Sequence, residues 1–166
     1  MTPEFSFAVS EELNFLGEEK SIFLPTKADP EATGYDVRCA HRHGVIIEPN
    51  KYCFIRLGLR MLAPPGWWLH LNPRSSSFCK KNLHTLCGVI DETYEGHIIY
   101  ACQWIPEGPL YGDEVLKINF QDRIGQLIPV RREEMLVKEV SNDEIEKRYK
   151  ERSAQRTGGI GSTGDK

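Results

Sequence analysis

Residues 51–73, KYCFIRLGLRMLAPPGWWLHLNP, carry the clearest periodicity in the chain. Over ten residues, apolar side chains alternate with a second set, which is the period of an extended strand. The apolar set is Cys53, Ile55, Leu57, Leu59 and Met61. APPG at 63–66 predicts a turn, and WWLHL at 67–71 then alternates again. The stretch therefore predicts extended runs joined by a turn.

Shorter runs of the same kind follow along the chain, at 96–105, 113–120, 123–130 and 135–140. Gly, Pro, Asn and Asp residues separate these runs. Many short strands with such residues between them predict an all-β sandwich or barrel.

One helix is predicted, late in the chain. SNDE at 141–144 has the S-x-x-E form of a capping box, and a highly charged segment follows it. We therefore divide the chain into a β core at 1–140, a short helix or linker at 141–152 and a glycine-rich arm at 153–166. The arm has too few apolar side chains to offset the entropy of ordering it, so we expect it to be flexible.

Length and charge narrow the class of protein. The 166 residues predict one domain, and a formal net charge of −3 gives no basic surface for nucleic acid or an anionic membrane. No apolar run approaches the roughly 20 residues of a membrane helix, and the N-terminal residues lack the apolar core of a signal peptide. We expect a soluble protein with no nucleic-acid or membrane partner, located in the cytoplasm, or in the host-cell cytoplasm if the source is a virus.

Cysteine and histidine spacing gives little sign of a metal site. The five cysteines are scattered and show no C-x-x-C pair, which favours free thiols in a reducing compartment over a zinc site or a disulfide framework. The five histidines lack the i, i+4 spacing of a helical metal site, and we assign them no chemistry.

Four stretches carry polar residues that a β core does not require. PRSSSF at 73–78 offers an arginine and three hydroxyl groups that could grip a phosphate, or it forms a polar turn. In GVIDETYEG at 88–96, Asp91 is either a rigidly held general base or part of a hairpin turn. In QDRIGQLI at 121–128, Asp122, Arg123 and Gln126 either contribute to a functional site or form an internal salt bridge and a strand-end amide. In ATGYDVRCA at 32–40, a glycine that permits close backbone approach precedes an aspartate.

These four stretches, followed by RTGGIGSTG at 156–164, occur in the order of the five motifs of the trimeric dUTP pyrophosphatase (dUTPase) family. The sequence strongly resembles that family from about Ile22 to Gly164. The resemblance implies a distorted jelly-roll β-barrel that assembles as a homotrimer, with each active site drawing motifs from all three chains. It also implies Mg²⁺-assisted hydrolysis of dUTP to dUMP and pyrophosphate, which limits uracil in DNA and supplies dUMP for dTMP synthesis.

The resemblance also implies roles in catalysis and base recognition. Asp91 is the carboxylate that orients and deprotonates the water attacking the α-phosphorus, and Gln126 is a second ligand of that water. Tyr94 lies beneath the deoxyribose and leaves no room for a 2′-hydroxyl group. The uracil edge pairs with the backbone of one hairpin, at Gly88, Val89 and Ile90.

Two further groups are implied to bind the triphosphate. The first is Arg74, Ser75 and Ser76. The second closes over the nucleotide from the C-terminal arm and consists of Arg156, Gly159, Ile160, Gly161, Ser162 and Thr163. Asp36 is implied to lie near the water shell of the magnesium, with no direct protein ligand, since phosphate oxygens and water suit this ion. Asp122 and Arg123 are implied to brace the site.

Two positions depart from the family pattern. Ile160 stands where the family usually has an aromatic residue that stacks on uracil, and Thr85 stands where relatives often have an asparagine that reads the base.

Two alternative functions are compatible with the same fold. A dCTP deaminase or its bifunctional relative shares the fold but needs a glutamate on the strand after the third motif, and residues 97–105 contain no carboxylate. A regulatory binding protein that keeps the fold is the other alternative, although the retained Asp91 and Gln126 favour a working enzyme.

Overall fold

The structure is a computed structural model that describes residues 2–109 and 112–151. The chain divides into two compact units, Met1–Glu133 and Glu134–Lys166. The strands in the described part are β1 (Ser6–Val9), β2 (Tyr35–Arg38), β3 (Val45–Ile47), β4 (Tyr52–Arg56), β5 (Leu59–Leu62), β6 (Trp67–Pro73), β7 (Leu83–Thr85), β8 (Gly88–Ile90), β9 (Ile99–Trp104), β10 (Leu116–Ile118) and β11 (Arg123–Arg131). The helices are a 3-10 segment (Glu11–Phe23), α1 (Ser75–Lys81) and α2 (Asn142–Lys150).

The strands of the first unit pair in antiparallel fashion. The largest sheet has the order β2-β11-β6-β8, and a second has the order β4-β9-β7. Two further pairs are β1 with β5 and β10 with β3. The predicted all-β class is confirmed.

The larger of two apolar clusters in the described residues joins these sheets. Every strand from β2 to β11 contributes at least one buried side chain to it, and Phe7 and Val9 of β1 pack against its edge. The largest buried side chain is Tyr100 on β9. Because each strand supplies only a few apolar residues, the core depends on correct register in all of them.

The alternating stretch at 51–73 folds as its period predicts. Ile55, Leu57, Leu59 and Met61 are buried, and a two-residue break at 57–58 separates β4 from β5. Two is an even number, so the break leaves the alternation in phase. The APPG turn is also present, with the Trp67 amide donating to the Pro64 carbonyl over 3.1 Å.

Two helical segments of the first unit were not predicted. The 3-10 segment Glu11–Phe23 lies within the predicted β core at 1–140, and α1 lies on the polar PRSSSF stretch. Neither shows an apolar helical period, because the 3-10 segment buries only Leu13 and Phe23, and α1 buries only Ser77. Asn82 ends α1 in the left-handed conformation at φ 49°.

In the second unit, the predicted helix is confirmed and the predicted strand is wrong. Ser141 caps α2, since its hydroxyl accepts from the Glu144 amide at 3.2 Å, as the capping-box pattern predicts. Residues 135–140 form no strand. The apolar side chains there, Met135, Leu136 and Val137, are 82%, 103% and 85% exposed. Their strand pattern lacks a pairing partner within the described residues, and a strand needs one.

The five cysteines are free thiols, as their spacing predicts. Cys39 and Cys102 are buried, and burial raises the pKa of both thiols, that of Cys102 to about 12. In the part of the chain that the structure describes, no helix is long and apolar enough to cross a membrane.

Tyr100 is the polar centre of the core. Its ring is fully buried, and its hydroxyl hydrogen-bonds with Thr85 Oγ1 at 2.5 Å. Burial raises the pKa of Tyr100 to about 12. The unfolded chain releases this proton from about pH 10, whereas the folded chain keeps it until about pH 12. The free energy of unfolding therefore falls as the pH rises through this range.

We therefore predict that Tyr100→Phe flattens the alkaline loss of stability. In the wild type, Tyr100 should lower the free energy of unfolding by about 1.4 kcal/mol per pH unit between about pH 10 and 12. The variant lacks this contribution, and at pH 7 it should be about 1 kcal/mol less stable because Thr85 loses its partner. Urea titrations at fixed protein concentration, followed by circular dichroism at several pH values, measure both effects. Parallel pH curves for the two proteins would contradict the prediction.

Candidate active site

Three of the predicted motifs meet around the carboxylate of Asp36. Asp36 lies on β2 and is 8% exposed. Its Oδ1 is 3.1 Å from Arg74 Nε, and its Oδ2 is 3.0 Å from Arg123 Nη1. Arg74 directly follows β6 and Arg123 begins β11, so the sheet order β2-β11-β6 brings these three residues together. The cluster has two guanidinium groups against one carboxylate, which leaves net positive charge suited to an anion.

Gln126 lies beside this cluster on the central strand β11. In the sheet it pairs with Asp36 on one side and with Asn72 on the other, so the three side chains share one face. Its Nε2 donates to the Pro73 carbonyl over 3.1 Å. Asn72 was not singled out from the sequence. The only signal for it was a polar residue at the end of an apolar alternating strand.

Gly34 is the glycine on which the position of Gln126 depends. A Cβ atom built at Gly34 would lie 2.0 Å from Gln126 Oε1 and 3.1 Å from Gln126 Cβ. The side-chain amide therefore occupies space that any other residue at position 34 would fill. The sequence-based expectation that Gly34 permits close approach is confirmed, and the approaching group is the Gln126 side chain.

The three hydroxyl groups after Arg74 have different environments. Ser77 is 4% exposed, and its Oγ donates to the Ile124 carbonyl over 3.0 Å, which ties α1 to β11. Ser75 is exposed and Ser76 is partly exposed, both in the first turn of α1. Ser75 and Ser76 therefore stay predicted phosphate ligands, whereas Ser77 is occupied by its bond to β11.

The third motif follows β8. Ile90 is buried and pairs with Leu69 of β6, whereas Asp91 is exposed. The Asp91 carbonyl accepts from the Tyr94 amide at 3.0 Å, which closes a turn. The Tyr94 hydroxyl donates to the His97 carbonyl over 2.9 Å, and its ring covers Gly96. Asp91 thus extends from a well-paired strand into a short, closed turn.

Asp91 lies far from the Asp36 cluster within one chain. Because Ile90 pairs with Leu69, Asp91 is level with Trp68 of β6, six residues from Arg74. At about 3.3 Å per residue this is a separation of roughly 20 Å along the strand. Gln126 is level with Asn72 on the far side of β6, about 13 Å along and two strand spacings away. One chain therefore does not bring Asp91 and Gln126 to the same water molecule.

Two further residues from the sequence analysis, Asp122 and Thr85, have structural contacts. Asp122 is 3.6 Å from Lys81 Nζ and accepts from the Asn119 amide, so it stabilises the turn before β11. It does not pair with its neighbour Arg123, whose partner is Asp36. Thr85 hydrogen-bonds with Tyr100 in the core. The arm residues Arg156, Gly159, Ile160, Gly161, Ser162 and Thr163 lie outside the described residues.

Comparison with known proteins shows the family. A family model described as dUTPase matches residues 20–164 of this chain. The chain belongs to the dUTPase family. A deoxyuridine 5'-triphosphate nucleotidohydrolase of Bdellovibrio bacteriovorus is 31% identical over 156 residues, covering 91% of each chain. An enzyme of the same name from Yarrowia lipolytica is 32% identical over 140 residues, covering 84% of this chain and 81% of the other.

Solved dUTPase structures support the fold. The dUTPase of phage phi11 of S. aureus has a TM-score of 0.67 at 20% identity, over 85% of this chain and 99% of its own, and its structure concerns a structural Mg(II) ion. The dUTPase of Streptococcus mutans has a TM-score of 0.64 at 22% identity, over 81% of this chain and 99% of its own. The predicted jelly-roll fold of the dUTPase family is confirmed.

We predict that Gly34→Ala removes Gln126 from its position without unfolding the protein. The overlap is with the flexible end of a side chain, so the fold should survive, with a melting temperature within a few degrees of the wild type. Turnover of dUTP, the substrate of the family, should fall on the order of ten-fold to 10²-fold, since displacing a positioning group has that effect. Steady-state kinetics and thermal denaturation measure the two quantities.

The control is Gln126→Ala, alone and combined with Gly34→Ala. If both substitutions act on the same side chain, the double variant is no slower than Gln126→Ala. An additive loss in the double variant, or wild-type turnover of Gly34→Ala, would show that Gly34 does not act through Gln126.

Proposed function

We propose that this chain hydrolyses dUTP to dUMP and pyrophosphate as a homotrimer with shared active sites. Membership of the dUTPase family over residues 20–164 supports the reaction. The observation that carries the shared site is the separation between Asp91 and the Asp36 cluster. The proposed base Asp91 and the phosphate-binding Arg74 lie at opposite ends of β6. A complete active site forms if Asp91 of one copy lies beside Arg74 and Gln126 of another.

Arg74, Ser75 and Ser76 bind the triphosphate in this proposal. Arg74 is held by Asp36, which fixes the direction of its guanidinium plane and leaves other N–H groups for phosphate oxygens. Arg123 anchors the other oxygen of Asp36 and adds positive charge. The residues of the C-terminal arm that the family resemblance assigns to the lid would close over the same phosphates.

Asp91 acts as the general base. Its carboxylate accepts a proton from a water molecule as the water oxygen forms a bond to the α-phosphorus, and the bond to the bridging oxygen of the pyrophosphate group breaks. Gln126 of a neighbouring copy orients the same water with its amide. The exposure of Asp91 at the end of a paired strand supports this role, because a base must be both accessible and rigidly held.

Base and sugar recognition are assigned to the third motif. β8 is the edge strand of its sheet, so the outer backbone groups of Gly88, Val89 and Ile90 can pair with the uracil edge. Tyr94 is held at its amide and its hydroxyl, which gives its ring a fixed position against the deoxyribose. A fixed ring can exclude a 2′-hydroxyl group by steric overlap.

Magnesium is proposed to bind with the substrate. No group of three or more His, Cys, Asp and Glu residues that could hold a metal ion occurs in the described ranges. Both oxygens of Asp36 already accept from arginines, yet each keeps a lone pair for a metal-bound water. This donor set fits an ion held by phosphate oxygens and water, with Asp36 in outer contact. When bound, the ion would offset charge on the triphosphate.

Exposed apolar side chains support contact between copies of the chain, and free thiols support a location in the cytoplasm. Tyr52, Phe54 and Leu86 are 80%, 67% and 69% exposed, and apolar groups of that size on a surface favour contact with other copies. Free thiols fit a reducing compartment such as the cytoplasm.

The proposal predicts the nucleotide preference of the purified protein. With Mg²⁺ it should release pyrophosphate from dUTP and leave dCTP, dTTP and UTP largely unreacted. Chelation of the metal should abolish most of the turnover. A coupled pyrophosphate assay, with product identification by chromatography, measures this preference. Conversion of dCTP to a uracil nucleotide at a comparable rate, or no turnover of dUTP, would contradict the proposal.

A further inference from the structure

The side chain of Glu92 joins three segments at the end of the largest sheet. Its Oε2 accepts from the Gly66 amide at 2.8 Å and from Arg132 Nη1 at 3.0 Å. The Arg132 amide in turn donates to the Gly66 carbonyl over 2.8 Å. These three hydrogen bonds form a closed ring, which we call the Glu92 clamp, consisting of Glu92, Gly66 and Arg132.

Each member of the Glu92 clamp belongs to a different part of the sheet. Gly66 is in the turn that precedes β6, Arg132 directly follows β11, and Glu92 is in the turn that follows β8. The Glu92 side chain is 25% exposed, so its two charge-assisted bonds are partly shielded from water. The clamp therefore fixes the turn after β8 to the rest of the sheet at a point where strand pairing has ended.

Asp91 lies between two fixed residues because of this clamp. On one side Ile90 is buried and paired with Leu69, and on the other Glu92 is held by Gly66 and Arg132. The Asp91 side chain has no hydrogen-bond or ion-pair partner of its own within the described residues. The direction of its carboxylate thus depends on the backbone to which it is attached.

We propose that Glu92 is a positioning residue for the Asp91 carboxylate, an inference that rests on the proposed function. Glu92 does not contact substrate. It holds the backbone of the turn so that Asp91 keeps one direction toward the attacking water. The Asp36 cluster, which binds the phosphates, lies at the opposite end of β6 and does not depend on Glu92.

The test compares Glu92→Ala, Glu92→Gln and the wild type. Loss of the clamp should lower kcat by about ten-fold to 10²-fold, because small misplacement of a catalytic group has effects of that size. KM, and the Kd of a non-hydrolysable dUTP analogue measured by calorimetry, should change by less than about three-fold. Glu92→Gln keeps one uncharged acceptor and should have an intermediate kcat. Hydrogen exchange of the Gly66 amide should become faster in Glu92→Ala.

Glu133→Ala is the matched control, since it also removes a carboxylate that pairs with an arginine at the end of β11, at 3.5 Å from Arg131 Nε. The Glu133 side chain is 78% exposed, so the kcat of Glu133→Ala should equal that of the wild type. Solution mass and melting temperature confirm that each variant folds and assembles. If Glu92→Ala fails to fold, Glu92→Gln decides.

The outcomes separate the two proposals. An inactive wild type contradicts the proposed function itself. An active wild type, together with a folded Glu92 variant of unchanged kcat or one altered only in KM, overturns the positioning role alone.

Discussion

The antiparallel pairing of β6 with β11 on one side and β8 on the other determines where the chemistry lies. β6 has seven residues, so its two ends are roughly 20 Å apart. Arg74 and the residues that pair near it occupy one end, and Asp91 and Tyr94 occupy the other. No side chain can span this distance, which is why the proposed functional unit contains more than one chain.

Each end of the sheet is held by a different carboxylate. At one end, the buried Asp36 aligns Arg74 and Arg123, and at the other Glu92 joins the segments around Gly66 and Arg132. Each carboxylate is partly or fully shielded from water, and its two hydrogen-bond donors offset the cost of removing its charge from solvent. In the proposed mechanism, each of these carboxylates orients a residue that acts on the substrate or on the attacking water, Asp36 through Arg74 and Glu92 through Asp91.

Sequence patterns predicted the parts of the fold that depend on local alternation and turns. The stretch at 51–73 predicted strands because its apolar residues follow a period of two. SNDE predicted the cap of α2 because the serine hydroxyl in this pattern accepts from a backbone amide. The 3-10 segment and α1 show no apolar helical period, so they escaped prediction. Residues 135–140 have a strand pattern, but pairing depends on a partner that sequence does not specify.

Residues of the candidate site could be predicted where they belong to a motif of the family. Arg74, Asp91 and Gln126 were found in this way, and the distinction of Ser77 from its neighbours needed the structure, because only packing shows that it bonds to Ile124. Asn72 and Glu92 were missed, since their roles arise from strand pairing and from contacts between residues distant in sequence.

Subunit complementation tests the shared site most directly. Asp91→Asn and Arg74→Ala should each be nearly inactive alone. When the two variants are co-expressed with different tags and mixed trimers are purified, one of the three sites in each mixed trimer, about a third of the sites, should combine an intact Asp91 with an intact Arg74 from another copy. Activity should therefore return to a corresponding fraction of the wild type. Mixed trimers as inactive as the separate variants would contradict the account, because they would show that each site takes both residues from one chain.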